Sequence, residues 1–257
     1  LLLFNSFIQV FNKNGVYLSY SRIELNKNMY AVLTLIQYKK RFVYFALLAM
    51  ALHRLPLWLN RRLRFYKLLG CGKGGTFSKT PDWQQWGVLV VMEKAELTGF
   101  SDKAHLQQLA YGRFIPGWWR FFGCSTRTFL LEPIEAHGSW DGKQAFGALP
   151  VKSDYEGPIA VITRATINAD KRSRFWEHVE AVSNEMRKAE GFQFSVGIGE
   201  NPWNKQATFS VWQSKEHMKQ FAYKMPNHAD VIQKTRKEKW YSEDMFVRFK
   251  VMGSWGE

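Results

Sequence analysis

Residues 228–249, "HADVIQKTRKEKWYSEDMFVRF", put a histidine at the head of a basic helix that runs into a Trp-Tyr pair and two phenylalanines. His228 shares a helix face with Val231, Ile232 and Thr235, one and two turns along. Two readings follow: an ordinary packing residue, or a ligand to iron. The chain has six histidines and no H-E-x-x-H or other paired metal spacing. A site with one protein ligand suits haem, which needs a single axial group, better than non-haem iron or zinc. His137, ahead of Gly138-Ser139-Trp140, is the competing ligand or distal group, and its counterpart in the second half is Met252. His53, His105, His178 and His217 stand on helical stretches beside charges and are expected to be mostly solvated.

Other motifs carry less. Arg164 interrupts a β-branched strand, where it would neutralise a carboxylate such as a haem propionate or sit at a sheet edge. Gly70, Gly72 and Gly75 satisfy G-x-G-x-x-G after a strand. No helix follows, however, and the second half has its own "GIGENP" at the matching place, so a hairpin loop is expected rather than a dinucleotide site. The P-loop pattern fails because Gly74 follows Lys73. No RNP run lies on a central strand, so nucleic acid is not an expected partner. Cys71 and Cys124 fit neither a zinc spacing nor a disulfide framework, which suits a reducing cytoplasm.

The elements that would position these residues repeat. "YAVLTLIQY" (30–38), a helix over 39–60, "LRFYKLLGCGKGG", "WGVLVVMEKAE", a helix near 102–111 and "RTFLLEPIEAHGSW" read as βαββαβ. "GPIAVITRATI" (157–167), the helix "KRSRFWEHVEAVSNEMRKAEG", "FQFSVGIGE", "QATFSVWQS", a helical stretch over 214–238 broken near Pro226, and "MFVRFKVMGSW" read the same way. The fold class is therefore α+β: two tandem ferredoxin-like units, 29–150 and 151–257, facing their sheets together as an α+β barrel. "FIPGWWRFFG" (114–123) is expected to be a loop that lines or covers a pocket. Residues 1–28 precede the first Met, have no basic start and no cleavage site, and are expected to be a non-functional upstream extension.

Composition sets the class of ligand. Aromatics make up 16% of the 257 residues, with 11 Trp and 20 Phe, more than a core needs, which points to a large apolar ligand. The net charge of +14 favours acidic partners, whether nucleic acid, an anionic membrane surface or a small acidic protein. The longest apolar run, "FVYFALLAMAL" (42–52), is shorter than the roughly 20 residues of a membrane span. It reads first as a buried helix. Its basic flanks (Lys39, Lys40, Arg41, Arg54, Arg61, Arg62 and Arg64) would also suit a helix lying on a membrane surface.

At "RFYKLLGCGKGGTF", "PDWQQW", "GPIAVITRATI", "FSVGIGE", "QATFSVWQS" and the 228–249 string, the chain closely resembles the spheroidene monooxygenase family of carotenoid-modifying enzymes. The resemblance covers about residues 30–255. It implies a haem b oxygenase that inserts oxygen at C2 of an acyclic carotenoid, by hydroxylation and then ketone formation. Electrons would come from an acidic ferredoxin-type donor. The site residues it implies are Arg164, Trp176, His228, Arg236, Trp240 and Tyr241, with Arg236 and Tyr241 catalytic and the others holding the cofactor. It also implies a cytoplasmic enzyme, suited to peripheral contact with the inner membrane. Two rivals stand beside this reading: a barrel that binds haem or a hydrophobic ligand without turnover, and a haem enzyme of another reaction such as dehydration.

Overall fold

Short β-branched runs alternate with helices, and each run pairs with its neighbours so that no strand edge is left open. The computed structural model describes residues 29–73, 80–201 and 203–256, without the side chains of residues 180, 226, 227, 229, 230, 232 and 236. The expected upstream extension and the loop tip carrying Gly75 lie outside the described residues.

The first half runs β1 (Met29–Gln37), α1 (Val43–Leu52), α2 (Arg54–Leu59), β2 (Leu63–Gly72), β3 (Pro81–Glu93), α3 (Lys103–Tyr111), α4 (Phe114–Phe121) and β4 (Ser125–Gly138). The second runs β5 (Ile159–Ile167), α5 (Arg172–Lys188), β6 (Phe192–Asn201), β7 (Lys205–Trp212), α6 (Lys215–Lys224), α7 (Pro226–Lys237) and β8 (Tyr241–Trp255). The strands close into one antiparallel barrel in the order β1-β3-β2-β6-β7-β5-β8-β4.

Strand periodicity sorts the side chains. In β1, Ala31, Leu33 and Leu35 point into the barrel and join Leu89, Val91, Phe129, Ile162, Phe209 and Val247 in one apolar core. Tyr30, Val32 and Ile36 point outward and are covered by the first-half helices. A strand covered on both faces reads as a continuous apolar run, which is why "YAVLTLIQY" has no polar alternation. Truncating a filled interior position such as Phe209 would cost about 3–5 kcal/mol.

The helices start where their caps direct. The Asp102 carboxylate accepts the His105 amide at 2.8 Å, and the Ser214 hydroxyl accepts the His217 amide at 3.3 Å. Pro226 opens α7, where a missing amide hydrogen costs nothing. α6 is also tied to the sheet, because Lys215 bonds the buried Glu135 and the Ser153 carbonyl.

Three expectations are corrected. "FIPGWWRFFG" is the helix α4: Pro116 stands in its first turn, where the amide has no intrahelical acceptor, and Ile115, Pro116 and Trp119 are buried against the first half. The apolar run at 42–52 is not a buried helix. Only Ala46 and Ala49 of α1 are buried, while Tyr44, Phe45, Leu47, Leu48 and Leu52 are exposed. His53 is not solvated; it is 2% exposed, with Phe114, Trp118 and Trp119 around its ring.

Candidate functional site

The two halves share a four-residue string, "AVLT" at 31–34 and "AVIT" at 160–163, which places Thr34 and Thr163 outward from the middle of β1 and β5. Around Thr34 the outer face is sealed. Its hydroxyl meets that of Thr128 at 2.9 Å, Tyr111 of α3 donates to it at 2.9 Å, and Gln107 donates to Thr128 at 2.9 Å. All four side chains are buried. Thr163, in contrast, is exposed between the buried Val161 and Ala165. Among the described residues, the helices of the second half pack in two apolar clusters on either side of it. One holds Ile159, Val161, Trp212, Met218 and Phe221, and the other Ile167, Phe175, Val179 and Trp240. Among the described residues the layer leaves Thr163 exposed between them, in a row of opposed residues: Gly197, Thr208, Thr163 and Phe246.

Along the chain His228 comes between Met225 of the first cluster and Val231 of the second. Its ring lies 4.5 Å from that of Phe221, centroid to centroid. Its Nδ1 is 2.9 Å from the Ala222 carbonyl oxygen and its backbone amide donates to Glu185 at 3.3 Å. A carbonyl beside Nδ1 holds the proton there and leaves the lone pair on Nε2, the tautomer found at metal-binding histidines. Burial lowers the pKa of His228 below the ordinary histidine value, which keeps the imidazole neutral and able to ligate. These properties fit a haem iron.

The other expected residues divide. Trp176, Trp240 and Tyr241 lie together in the second cluster with Phe175 and Val231. Burial pushes the Tyr241 phenol well above the usual range, so it stays protonated. Arg236 lies on α7, with its side chain outside the description. His178 faces Trp240 edge-on at 5.6 Å and sits 3.2 Å from the Lys234 ammonium, closer to the site than its charged sequence surroundings suggest. His137 lies opposite Phe246, at the end of the Gly197–Phe246 row, and is exposed.

Arg164 is placed elsewhere. Alternation along β5 puts it on the inner face with Ala160 and Ile162, and β5 lies between β7 and β8, so it is at no sheet edge. It is 1% exposed and plugs one end of the barrel, where it pairs with Glu243, with Asp141 at 3.2 Å and with Glu200 at 3.7 Å. Lys67 and Lys205 complete the network on the same acids, and the Trp140 indole donates to Glu200 at 2.7 Å. Burial alone would raise Asp141 and Glu243. Hydrogen bonds from Lys205 and Lys67 to Asp141 hold it down at about 2, and those from the Gly142 amide, Ser139 and Arg164 to Glu243 do the same. The sheet thus separates Arg164 from His228, and its charge is already matched by the protein's own carboxylates.

A second opening marks the seam between the halves. Among the described residues β2 and β6 meet at two residue pairs, Gly70 with Gly199 and Cys71 with Ile198. Gly70, Gly72, Gly197 and Gly199 floor a cleft there, with Met50 of α1, Trp83, Trp86 and Trp176 among its walls. Gly197 belongs both to this cleft and to the row under Thr163, so the two openings adjoin. Of these residues the sequence marked Gly70 and Gly72 as a hairpin loop and Trp176 as a cofactor neighbour; Thr163 was not singled out, and the shared "AV-x-T" string was its available signal.

The architecture is that of an eight-stranded antiparallel α+β barrel. It superposes on aldoxime dehydratase with a TM-score of 0.56 at 12% identity, covering 89% of this chain and 82% of that one. A butyraldoxime complex of an aldoxime dehydratase gives 0.54 at 11%, covering 87% and 79%. At such identities the likeness shows the fold alone. No protein-family model matches the chain. Curated relatives do. The spheroidene monooxygenase of Rhodobacter capsulatus is 31% identical over 210 residues, 80% of this chain and 83% of that protein. That of Rubrivivax gelatinosus is 34% identical over 199 residues, 75% and 71%. That of Cereibacter sphaeroides is 32% identical over 209 residues, 81% of this chain but 60% of that protein's length. The chain belongs to the spheroidene monooxygenase family.

Proposed function

We propose that this protein is a haem-dependent monooxygenase acting at C2 of an acyclic carotenoid, with haem b held by His228 in the opening over Thr163. The observation that carries the reading is the setting of His228: its Nδ1 lies against the Ala222 carbonyl, and burial lowers its pKa and so favours the neutral imidazole. Haem bound there would supply activation of dioxygen. The chain's own residues would orient and exclude water: Trp176 and Phe246 would present apolar surface to a polyene, with the buried Trp240 packed behind Trp176, and Tyr241 keeps a phenolic proton available. Arg236, on the same helix as His228, is the candidate to meet a propionate, a role for which Arg164 is on the wrong face.

The reaction balances with an external donor. Each hydroxylation takes one O₂, two electrons and two protons, places one oxygen on carbon and releases the other as water. Two such steps at one carbon give a gem-diol, which loses water to become a ketone. A ferredoxin-type protein is the proposed donor; its acidity would match the +14 chain. We further read each half as a ferredoxin-like unit, a reading supported by the strand order fourth-first-third-second in both halves.

The test compares His228→Ala with His137→Ala. His228→Ala is expected to lose the Soret band while keeping its circular dichroism, and added imidazole should restore part of the band; His137→Ala should keep it. A normal Soret spectrum in His228→Ala would overturn the assignment. Product analysis with acyclic carotenoids then separates a ketolase from a binder or a dehydratase.

A further inference from the structure

We infer that α1 and α2 form a helix that lies in the interface of an anionic lipid bilayer. The inference rests on exposure and charge, and does not depend on the reaction proposed above. Residues Lys40–Leu59 form a helical stretch of 20 residues, apolar enough by length and composition to cross a membrane, with only 22% of its most apolar window buried. It does not stand free as a span would. Ala46, Ala49, His53 and Leu57, spaced three to four residues apart, are buried against the protein. The opposite face is apolar as well: Tyr44 is 83% exposed, Trp58 70%, Leu55 60% and Leu59 59%, with Phe45, Leu47, Leu48 and Leu52 beside them. A helix apolar all round is stable where both faces meet apolar surroundings, and here the protein covers one face only.

α4 extends the patch. Phe45 stacks on Phe122 at 4.7 Å, Phe121 meets Phe122 at 5.0 Å, and Phe114 meets His53 at 6.1 Å. Phe114 and Phe121 are themselves exposed, at 51% and 83%. So large a contiguous apolar surface marks an interaction site.

Charge selects the occupant. From Met29 to Pro81 the chain has no acidic residue. Lys40, Arg41, Arg54 and Arg61 are exposed on the helix and its ends, and Arg113 and Arg120 are exposed on either side of the α4 aromatics. Arg62 and Arg64 are engaged by Glu96 and Glu93. A second copy of this chain would bring one basic rim against another, at a cost. Anionic headgroups would match the rim while the acyl region takes Leu55, Trp58 and Tyr44, which is how amphipathic and aromatic side chains settle at an interface. Met50, on the same helix, lines the glycine-floored cleft, so the docked face would hold that cleft beside the bilayer.

The experiment is flotation of the full chain with vesicles of phosphatidylcholine alone or mixed with phosphatidylglycerol. Binding is expected to the mixed vesicles, weaker to the neutral ones, and reduced by high salt, which shortens the roughly 10 Å screening length of 0.1 M solutions. Leu55→Glu combined with Trp58→Glu should lower partitioning about tenfold or more with unchanged unfolding temperature, since both side chains are exposed. Tyr44→Glu should act in the same direction. Equal binding by the variants, binding that survives an alkaline wash, or a dimer that the same variants dissociate without any vesicle binding would each overturn the inference.

Discussion

Thr34 and Thr163 stand at the same place in the two halves of the barrel and are treated oppositely: Tyr111 caps the first, and the second is exposed. One half is thereby a closed scaffold and the other carries the opening. Filling the opening should separate function from stability. Thr163→Phe is expected to reduce haem content and substrate binding, with a stability change within about 1 kcal/mol because the added ring enters open space. Haem titration and thermal unfolding of the same preparation check this. Full haem binding by Thr163→Phe would place the cofactor elsewhere.

The closed side makes the converse prediction. Tyr111→Phe removes the donor shared by the Thr34 hydroxyl and the Val32 and Val88 carbonyls. It should destabilise the protein by about 1–3 kcal/mol, measured by chemical denaturation, and leave the haem spectrum of the folded protein unchanged.

His53 predicts a pH dependence. Burial lowers its pKa to about 4, and its Nε2 has no hydrogen-bond partner among the described residues. Between pH 6.5 and about 4 the unfolded chain binds a proton there that the folded chain refuses. Stability is therefore whole above the unfolded value of 6.5 and falls as the pH drops through that window, by at most about 1.4 kcal/mol per unit. His53→Phe should remove this part of the slope and cost less than about 1.5 kcal/mol at pH 7. An unchanged slope between pH 6.5 and 4 would show that His53 is not its source.

Arg164 distinguishes a structural ion network from a cofactor contact. Arg164→Leu takes the paired cation from Glu243, while Asp141 and Glu200 keep Lys67, and should cost about 3–5 kcal/mol. The part of the network's stability held by depressed carboxylates is present above their unfolded pKa and lost as the pH falls toward about 2. The variant should lose part of that dependence. The folded fraction should bind haem with normal affinity; a selective loss of haem would return Arg164 to the site.

Two glycines of the seam cleft should behave differently. A Cβ on Gly70 would make only ordinary contacts, 3.7 Å to Trp86 and 3.8 Å to Gly199. Gly70→Leu should therefore fold and raise KM for a long polyene by obstructing the cleft. A Cβ on Gly199 would fall 2.9 Å from the Lys205 carbonyl oxygen, so Gly199→Ala must move backbone and should destabilise the fold. KM and unfolding temperature, measured on both variants, separate the two effects.

Local pattern alone was enough for much of this protein. Two rounds of strand-helix-strand-strand-helix-strand follow from β-branched runs, helical spacing and the break at Pro226, because period and punctuation are properties of neighbouring residues. The grouping of Trp240 and Tyr241 after the His228 helix was legible for the same reason. What neighbours cannot encode is which face of a strand or helix finds cover. Arg164 and Thr163 are adjacent in β5, yet the pleat sends one into a buried ion network and leaves the other at an opening. The helix at 42–52 reads as core material because it is apolar all round, and only its packing geometry reveals that one side has no protein against it. His53 and His178 sit among charges in the chain and against tryptophans in space. Composition and periodicity specify elements; burial, and with it charge state and access, belongs to the pairing of elements far apart in sequence.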